Sequence, residues 1–296
     1  MATRTVWNIG ALLQWTTDFF NRRQVDEPRL SAELLLAHAL HCTRMQLYTQ
    51  FDVEPPEQQL QGFRELVKKR GENVPVAYLI GKAWFYSLEF AVTPDVLIPR
   101  PDTETLVEHI IMRVRQAPGW ETPNILDLCT GSGCIAITLA KHLPNAKLVA
   151  TDVSEKALAV AAENAKTLGV ADRVQFLQGD LLTPVLALAP PAQFHVIASN
   201  PPYIASGDIA GLPPQVRDHE PHLALDGGPD GLNALRKIVQ EAQPCLLPGG
   251  MLAVEIAYNQ AAVAQGVAEG APWLASHKLL RDAAGRDRCI VAFRAA

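Results

Sequence analysis

The chain has 296 residues, 48% of them hydrophobic and 19% charged, with 26 basic side chains against 31 acidic ones. That length holds one large domain or two ordinary ones, and that apolar share excludes disorder as a description of the whole chain. A formal charge of -5 counts against a nucleic-acid binder, which is more often basic.

The N-terminal stretch mixes Arg4, Trp7, Gln14 and Asp18 and has no small-residue cleavage site after an apolar run, so no signal peptide is expected. Val6, Ile9, Leu12, Leu13, Phe19 and Phe20 recur at helical spacing. Asp26 followed by Pro28 predicts a capped second helix, with Leu30, Leu34, Leu35 and His38 on one face. Pro55 and Pro56 punctuate, and Leu60, Phe63, Leu66 and Val67 give a further helix ending at Gly71. Arg64, Lys68, Lys69 and Arg70 form a basic cluster on it. Residues 1–74 therefore form a small all-helical domain.

Residues 75–95 change character. Val76, Tyr78, Ile80, Trp84, Phe85, Leu88, Phe90 and Val92 are strand-like, with turns at Gly81 and near Ser87, so a β-hairpin linker is expected. Pro94, Pro99 and Pro101 stiffen the approach to a helix capped by Asp102 and carrying Leu106, Val107, Ile110, Ile111 and Val114. From Asn124 onward strands and helices alternate, so residues 96–296 predict a mostly parallel sheet covered on both faces. The strands fall at Asn124–Leu128, Lys147–Thr151, Arg173–Leu177, His195–Ala198 and Met251–Ile256, with two more near Lys278–Leu280 and Cys289–Phe293. The helices fall at Ile135–His142, Ser154–Leu168, Leu232–Ala242 and Gln260–Glu269.

The cysteines are Cys42, Cys129, Cys134, Cys245 and Cys289. Their odd number and the lack of a C-x-x-C pair predict reduced thiols, no metal site and a cytoplasmic setting. No apolar run approaches the ~18 residues needed to cross a membrane.

Three strand ends carry polar groups suited to a nucleotide-like ligand. The first is Leu126-Asp127-Leu128-Cys129-Thr130-Gly131-Ser132-Gly133, a strand running through a small-residue turn into a helix. Glycines there let a backbone approach a ligand closely. The run lacks a phosphate-loop Gly-Lys-Ser/Thr and, by itself, also fits a plain strand–helix turn. The second is Asp152, an acid at the tip of the next strand, able to accept from two ribose hydroxyls or simply to cap the following helix. The third is Gly179-Asp180, whose acid would lie near an adenine amino group. Together they place a ligand at the carboxyl ends of the strands.

The fourth strand exits through Ser199-Asn200-Pro201-Pro202-Tyr203. Two prolines fix the backbone and remove two N–H donors, leaving carbonyl acceptors. Asn200 adds an acceptor and a donor, and Tyr203 an aromatic face. This is a grip for a planar –NH2 group, whose lone pair is delocalised and must be held toward an electrophile. His195, just before it, is expected to be a structural strand residue. For His219 and Glu220 a substrate role and loop packing both stand open.

With its N-P-P-Y tetrad the region resembles the amino-methylating, S-adenosylmethionine-dependent methyltransferases. Adding Ile98-Pro99-Arg100-Pro101-Asp102-Thr103-Glu104, the hairpin at Gly81–Val92, Val216-Arg217-Asp218-His219-Glu220-Pro221, Ala224–Leu232 and Ala284–Arg288, the whole chain resembles the HemK/PrmC family. The resemblance implies an α/β fold: a seven-stranded Rossmann-like sheet, mostly parallel with the last strand antiparallel, beside a small helical domain joined by a hairpin. It implies methyl transfer from S-adenosylmethionine to the glutamine amide of a Gly-Gly-Gln motif in class I release factors. Asn200, Pro201 and Tyr203 would be catalytic, with Pro202 joining them in holding the substrate. Pro101, Thr103, Cys129, Thr130, Gly131, Ser132, Gly133, Asp152, Asp180, Leu181 and Asn200 would hold the cofactor. Cys129 stands where a glycine is usual, and Leu181 where some members carry tryptophan. The helical domain is expected to help dock the release factor. No metal, membrane or direct nucleic-acid partner is expected, and the chain is expected to act as a monomer. The tetrad alone also fits a ribosomal-protein glutamine methyltransferase or an adenine-amino methyltransferase of DNA or RNA.

Overall fold

A computed structural model describes residues 7–296. Arg4 and Val6, named above, lie outside the described residues. The chain divides into two compact units, residues 7–82 with Pro213–His219, and Ala83–Leu212 with Glu220–Ala296.

The first unit is helical: α1 (Ile9–Arg22), α2 (Pro28–Ala39), α3 (Arg44–Thr49), α4 (Glu57–Gly71) and α5 (Val76–Ile80). Leu13, Phe20, Leu35, Leu36, Leu47 and Phe63 close its core. Asn8 caps α1 by accepting from Ala11 N at 2.8 Å. Asp26 does not cap α2. Glu27 holds the cap position in a left-handed conformation without a side-chain bond, and the Asp26 carbonyl accepts from Arg70 Nη2 at 3.1 Å. Arg70 is thus buried, and Arg64 pairs with Glu57 at 2.6 Å, so the basic cluster reduces to exposed Lys68 and Lys69. Val76, Tyr78 and Ile80, read above as strand, form the short helix α5. Pro75 precedes its first turn, and Gly81 ends it at φ 73°. Burial of Ile80 in the helical core overrides the alternation.

The hairpin follows as β1 (Lys82–Phe85) and β2 (Leu88–Ala91). Tyr86 and Ser87 turn it with φ 50° and 62°, the left-handed pair that matches strand twist in two-residue turns. Phe85 and Phe90 are buried and meet edge to face at 6.3 Å. Buried Asn164 accepts from Ala91 N at 2.7 Å and donates to Ala91 O at 3.0 Å.

A single 3-10 turn, Pro101–Thr103, leads into α6 (Glu104–Gln116). Asp102 lies inside that turn and is no cap; it pairs with Arg288 at 2.7 Å. The remaining elements are β3 (Asn124–Leu128), α7 (Cys134–His142), β4 (Lys147–Asp152), α8 (Glu155–Thr167), β5 (Val174–Gln178), α9 (Thr183–Leu186), β6 (Phe194–Ser199), α10 (Pro214–Arg217), α11 (Asn233–Glu241), β7 (Leu246–Glu255), α12 (Ala261–Glu269), β8 (Leu274–Arg281) and β9 (Asp287–Arg294). Ser154 caps α8, accepting from Ala157 N at 3.1 Å. The strand at Met251 begins five residues earlier than its apolar run, at Leu246.

The seven-stranded sheet has the order β5-β4-β3-β6-β7-β9-β8. β3 pairs in parallel with β4 and β6, and β9 runs antiparallel to both its neighbours. This is the expected Rossmann-like α/β sheet. Two apolar layers cover it, one around Leu106, Ile110, Ile125 and Leu139, the other around Leu128, Ile197, Ile238 and Leu252. The chain runs outward from β3 through β4 to β5, then returns to β6 on the other side of β3. That reversal makes a crevice at the strand ends between β3 and β6.

Candidate active site

The crevice is a cleft of about 570 Å³. It brings together Thr103, Cys129, Thr130, Gly131, Ser132, Asp152, Asp180, Leu181, Asn200 and Pro202. Pro101, Gly133, Pro201 and Tyr203 do not line its wall. Pro101 opens the 3-10 turn, and Gly133 serves packing. At φ 82° a Cβ on Gly133 would stand 2.7 Å from Ile137 Cδ1 and 3.1 Å from Ala161 Cβ, so its lack of one lets α7 and α8 close. Gly131, at φ 54°, faces open space.

The turn after β3 is held from beneath. Asp127 is fully buried; its Oδ2 accepts from Thr130 Oγ1 at 2.6 Å and from Ala136 N at 3.2 Å. Burial pushes its pKa up to about 7. Cys129 takes φ 57°, so the glycine-like backbone persists despite the side chain. The Gly131 amide donates to Asp152 Oδ2 at 2.9 Å, and Ser154 N donates to Asp152 Oδ1 at 2.9 Å. Each oxygen already accepts from a backbone amide, and a carboxylate oxygen has a second lone pair with which a hydroxyl donor can be met. Burial raises the Asp152 pKa, and these backbone amides work against that rise.

Asp180 pairs with Lys237 of α11 at 2.5 Å. Lys237 lines the cleft and was not found from the sequence, because its partner lies 57 residues away. Leu181 turns at φ 50°, and its carbonyl accepts from Thr151 Oγ1 at 3.0 Å. At the end of β6, Asn200 Nδ2 donates to Thr103 Oγ1 at 3.0 Å. Tyr203 turns its hydroxyl to the buried Glu255, donating to Oε1 at 3.3 Å. Burial and that carboxylate push the Tyr203 phenol above its ordinary range.

His195 is a strand residue, its Nδ1 accepting from Asn124 N at 3.1 Å. Glu220 is buried, pairs with Arg100 and accepts from Ile98 N at 3.3 Å. His219 Nε2 meets the Glu72 carbonyl at 3.3 Å within the helical unit. Loop packing thus accounts for both residues.

Two family models match the chain: the PrmC N-terminal domain over residues 11–81 and the methyltransferase small domain over residues 101–211. A release factor glutamine methyltransferase of Rhodopirellula baltica is 42% identical over 287 residues, 97% of this chain and 96% of that protein. The chain belongs to the release factor glutamine methyltransferase family. A second member, from Moorella thermoacetica, is 44% identical over 91% of this chain and 93% of its own length. A methyltransferase structure from Pyrococcus furiosus shares the fold at TM-score 0.51 and 20% identity, covering 77% of this chain and all of that one. The family's chemistry is carried on a chain with no helix long and apolar enough to cross a membrane, and with no His/Cys/Asp/Glu group able to hold a metal ion, among the described residues.

Asp127 makes a pH prediction. Its folded pKa lies above the unfolded value of 3.8, so the folded chain holds a proton that the unfolded chain has lost. The stability this gives is full below pH 3.8 and is lost as pH rises through about 7. Asp127→Asn removes that loss. Its melting temperature relative to the unsubstituted protein should therefore rise from pH 5 to pH 8, by the equivalent of about 2–4 kcal/mol. A difference that stays flat across that range would mean Asp127 is ionised in the fold.

Proposed function

We propose that the cleft holds S-adenosylmethionine, and that Asn200 and the neighbouring backbone carbonyl present to it the side-chain amide of the glutamine in a release factor Gly-Gly-Gln motif. The observation that carries this reading is the orientation of Asn200. With Nδ2 committed to Thr103, its Oδ1 is the acceptor left for a substrate –NH2 group, in the cleft that also holds Asp152 and Gly131.

The residues present fit the cofactor. Asp152, at the tip of its strand, would accept from ribose hydroxyls with the lone pairs its backbone donors leave, and the open face of Gly131 admits a ligand close to the backbone. The cleft volume suits a small molecule. Asp95, Asp152 and Asp226 on its wall suit a cationic sulfur centre, while Lys237 neutralises Asp180 where an uncharged adenine would lie. When bound, the cofactor supplies a methyl group on a sulfonium that leaves as a neutral thioether.

The chain's own residues supply orientation. An amide nitrogen is a poor nucleophile because its lone pair is shared with the carbonyl. Hydrogen bonds from both N–H groups to Asn200 Oδ1 and the Pro201 carbonyl would hold that nitrogen with its lone pair toward the methyl carbon. Alignment of this kind can lower a barrier by several kcal/mol. The new C–N bond would form as the donor's C–S bond breaks, and the nitrogen would then release its proton to water, which calls on no side-chain base. Tyr203, held through its hydroxyl, would pack on the amide plane. The helical unit would help dock the release factor, and the reaction belongs in the cytoplasm, where thiols such as Cys129 stay reduced.

Methyl transfer from labelled S-adenosylmethionine to purified release factor tests the reading. A factor with the motif glutamine replaced by alanine is run beside it, with DNA, total RNA and ribosomal proteins as parallel acceptors. Label on the intact factor alone supports the reading. Label on nucleic acid would mean the tetrad holds an adenine, and label on a ribosomal protein alone would move the substrate.

A further inference from the structure

Lys237 stands on α11 and Asp180 just past β5, and both line the cleft. Lys237 Nζ donates to Asp180 Oδ2 at 2.5 Å. No other group among the described residues bonds to that carboxylate, so Oδ1 keeps its lone pairs. The backbone on either side of Asp180 is fixed. Gly179 N donates to Asp152 O at 2.9 Å, which ties this turn to the tip of β4. Thr183 N donates to Asp180 O at 3.0 Å, and the Leu181 carbonyl takes the Thr151 hydroxyl. On α11, Leu235, Ile238 and Val239 are buried, while Asn233, Ala234 and Lys237 line the cleft. A packed helix therefore aims Lys237 at the turn after β5.

An ionised carboxylate only accepts hydrogen bonds. Adenine offers it an exocyclic amino group with two donors. A base with a carbonyl in that place offers only another acceptor. A fixed carboxylate oxygen therefore draws the first base and repels the second. Asp180 is not fixed by burial, since its side chain is 61% exposed. Left alone, it could turn both oxygens toward water and away from either base. The bond to Lys237 removes that freedom. It also makes the carboxylate half of a neutral pair, which a flat uncharged base covers at less cost than a lone charge. An ion pair this open adds little to the stability of the fold, so its effect is felt under a ligand.

We propose that Lys237 is a positioning residue that sets the base specificity of the site: by holding Asp180 Oδ2 it leaves Oδ1 as a fixed acceptor for the exocyclic amino group of adenine, so the cleft takes adenosyl compounds and rejects those with a carbonyl in that place. The inference rests on the reading that the cleft holds S-adenosylmethionine, and it names what selects the base. The hydrogen bond to Asp180 in turn raises the Lys237 pKa, so the ammonium keeps its charge. Neighbouring cations do not share the task. Arg236, next along α11, pairs with Asp230, and Arg100 on the cleft wall pairs with Glu220.

The test is calorimetric titration of the full chain with S-adenosylhomocysteine and with S-inosylhomocysteine, in which a carbonyl replaces the amino group of the base. The unsubstituted protein, Lys237→Met, Lys237→Arg and Asp180→Asn are compared, each with its melting temperature. The unsubstituted protein should bind the adenosyl compound roughly 30- to 100-fold more tightly, the discrimination given by a well-held contact to a base edge. Lys237→Met should lose about tenfold in affinity for the adenosyl compound and little for the inosyl one, so the ratio falls about tenfold. Lys237→Arg keeps the cation and should keep most of the ratio. Asp180→Asn, whose amide can turn to donate to a carbonyl, should bring the two affinities within a few-fold of each other. A Lys237→Met protein that melts normally and keeps the ratio overturns the proposal, as do equal losses for the two ligands, which would mark a contact indifferent to the base. A Lys237→Arg protein no more selective than Lys237→Met overturns it as well. If the unsubstituted protein binds neither compound, the reading of the cleft fails and the proposal with it. If it binds S-adenosylhomocysteine and its selectivity is indifferent to Lys237, only the proposal fails.

Discussion

Asn200→Ala is expected to lower the rate of methyl transfer by roughly 10²–10³-fold, the usual cost of deleting one preorganised polar contact to a reacting group. The side chain is the one tetrad group that both lines the cleft and offers a free acceptor, since Nδ2 is spent on Thr103. Alanine leaves the glutamine amide held by a backbone carbonyl alone. One hydrogen bond fixes the position of a planar –NH2 group but not its tilt, and tilt decides whether the lone pair meets the methyl carbon.

Affinity for the donor should fall far less than the rate, because Asn200 is only one of the groups expected to hold it and the others stand elsewhere. The Thr130–Ser132 turn is fixed by Asp127 and Asp152, and Asp152 and Asp180 sit at the ends of other strands. Asn200 is only half-buried, so the fold should lose about 1 kcal/mol or less. Single-turnover transfer from labelled donor, beside calorimetric titration of S-adenosylhomocysteine, separates the two effects. A single-turnover rate within tenfold of the unsubstituted enzyme would mean that Asn200 does not hold the nucleophile. A large loss of donor affinity with normal single-turnover chemistry at saturation would leave Asn200 a cofactor-holding role alone.

Most of the cleft was legible because its signals are local. A glycine turn between an apolar strand and an apolar helix, and acids at the next two strand tips, follow from backbone rules over a few residues. The N-P-P-Y exit is equally local. What the sequence hid is long-range. Asp26 and Asp102 stand at good cap offsets, yet the Asp26 carbonyl goes to Arg70 and the Asp102 carboxylate to Arg288, partners 44 and 186 residues away. Val76, Tyr78 and Ile80 alternate like a strand, but Ile80 joins a helical core that the pattern cannot reveal. Glu255 could have been found by the rule applied to Asp152, since it too is an acid closing an apolar parallel strand. Nothing in its neighbourhood in sequence points to Tyr203, its hydrogen-bond donor, which lies 52 residues away.

Gly231→Ala should be the most damaging small substitution near the tetrad, costing about 3 kcal/mol of stability and about tenfold in rate on the folded enzyme. Gly231 takes φ 77°, where an L-residue costs ~1–2 kcal/mol. Its Cβ would also stand 2.2 Å from the Tyr203 carbonyl oxygen and 2.5 Å from Gln260 Nε2. Neither neighbour can step aside cheaply. Gln260 Nε2 donates to Tyr203 O at 2.8 Å and to Asp230 O at 3.2 Å, while its Oε1 accepts from Ala257 N at 2.9 Å. The next residue, Ile204, is pinned by its N–H to Leu225 O at 3.0 Å and by its carbonyl to Gly227 N at 2.8 Å. An alanine at 231 must therefore push the Tyr203 backbone, and with it the tetrad, or break the Gln260 clamp. At ~2–4 °C per kcal/mol for a unit of this size, the melting temperature should fall by roughly 6–12 °C. Gly285→Ala is the matched control: φ is 78°, but no atom lies within 4 Å of its Cβ, so only the backbone strain of ~1–2 kcal/mol applies. Thermal melts and initial rates at low temperature, where both variants are folded, separate strain from collision. Equal losses in the two variants would show that the loop around Gly231 yields freely and that the tetrad does not depend on its close approach.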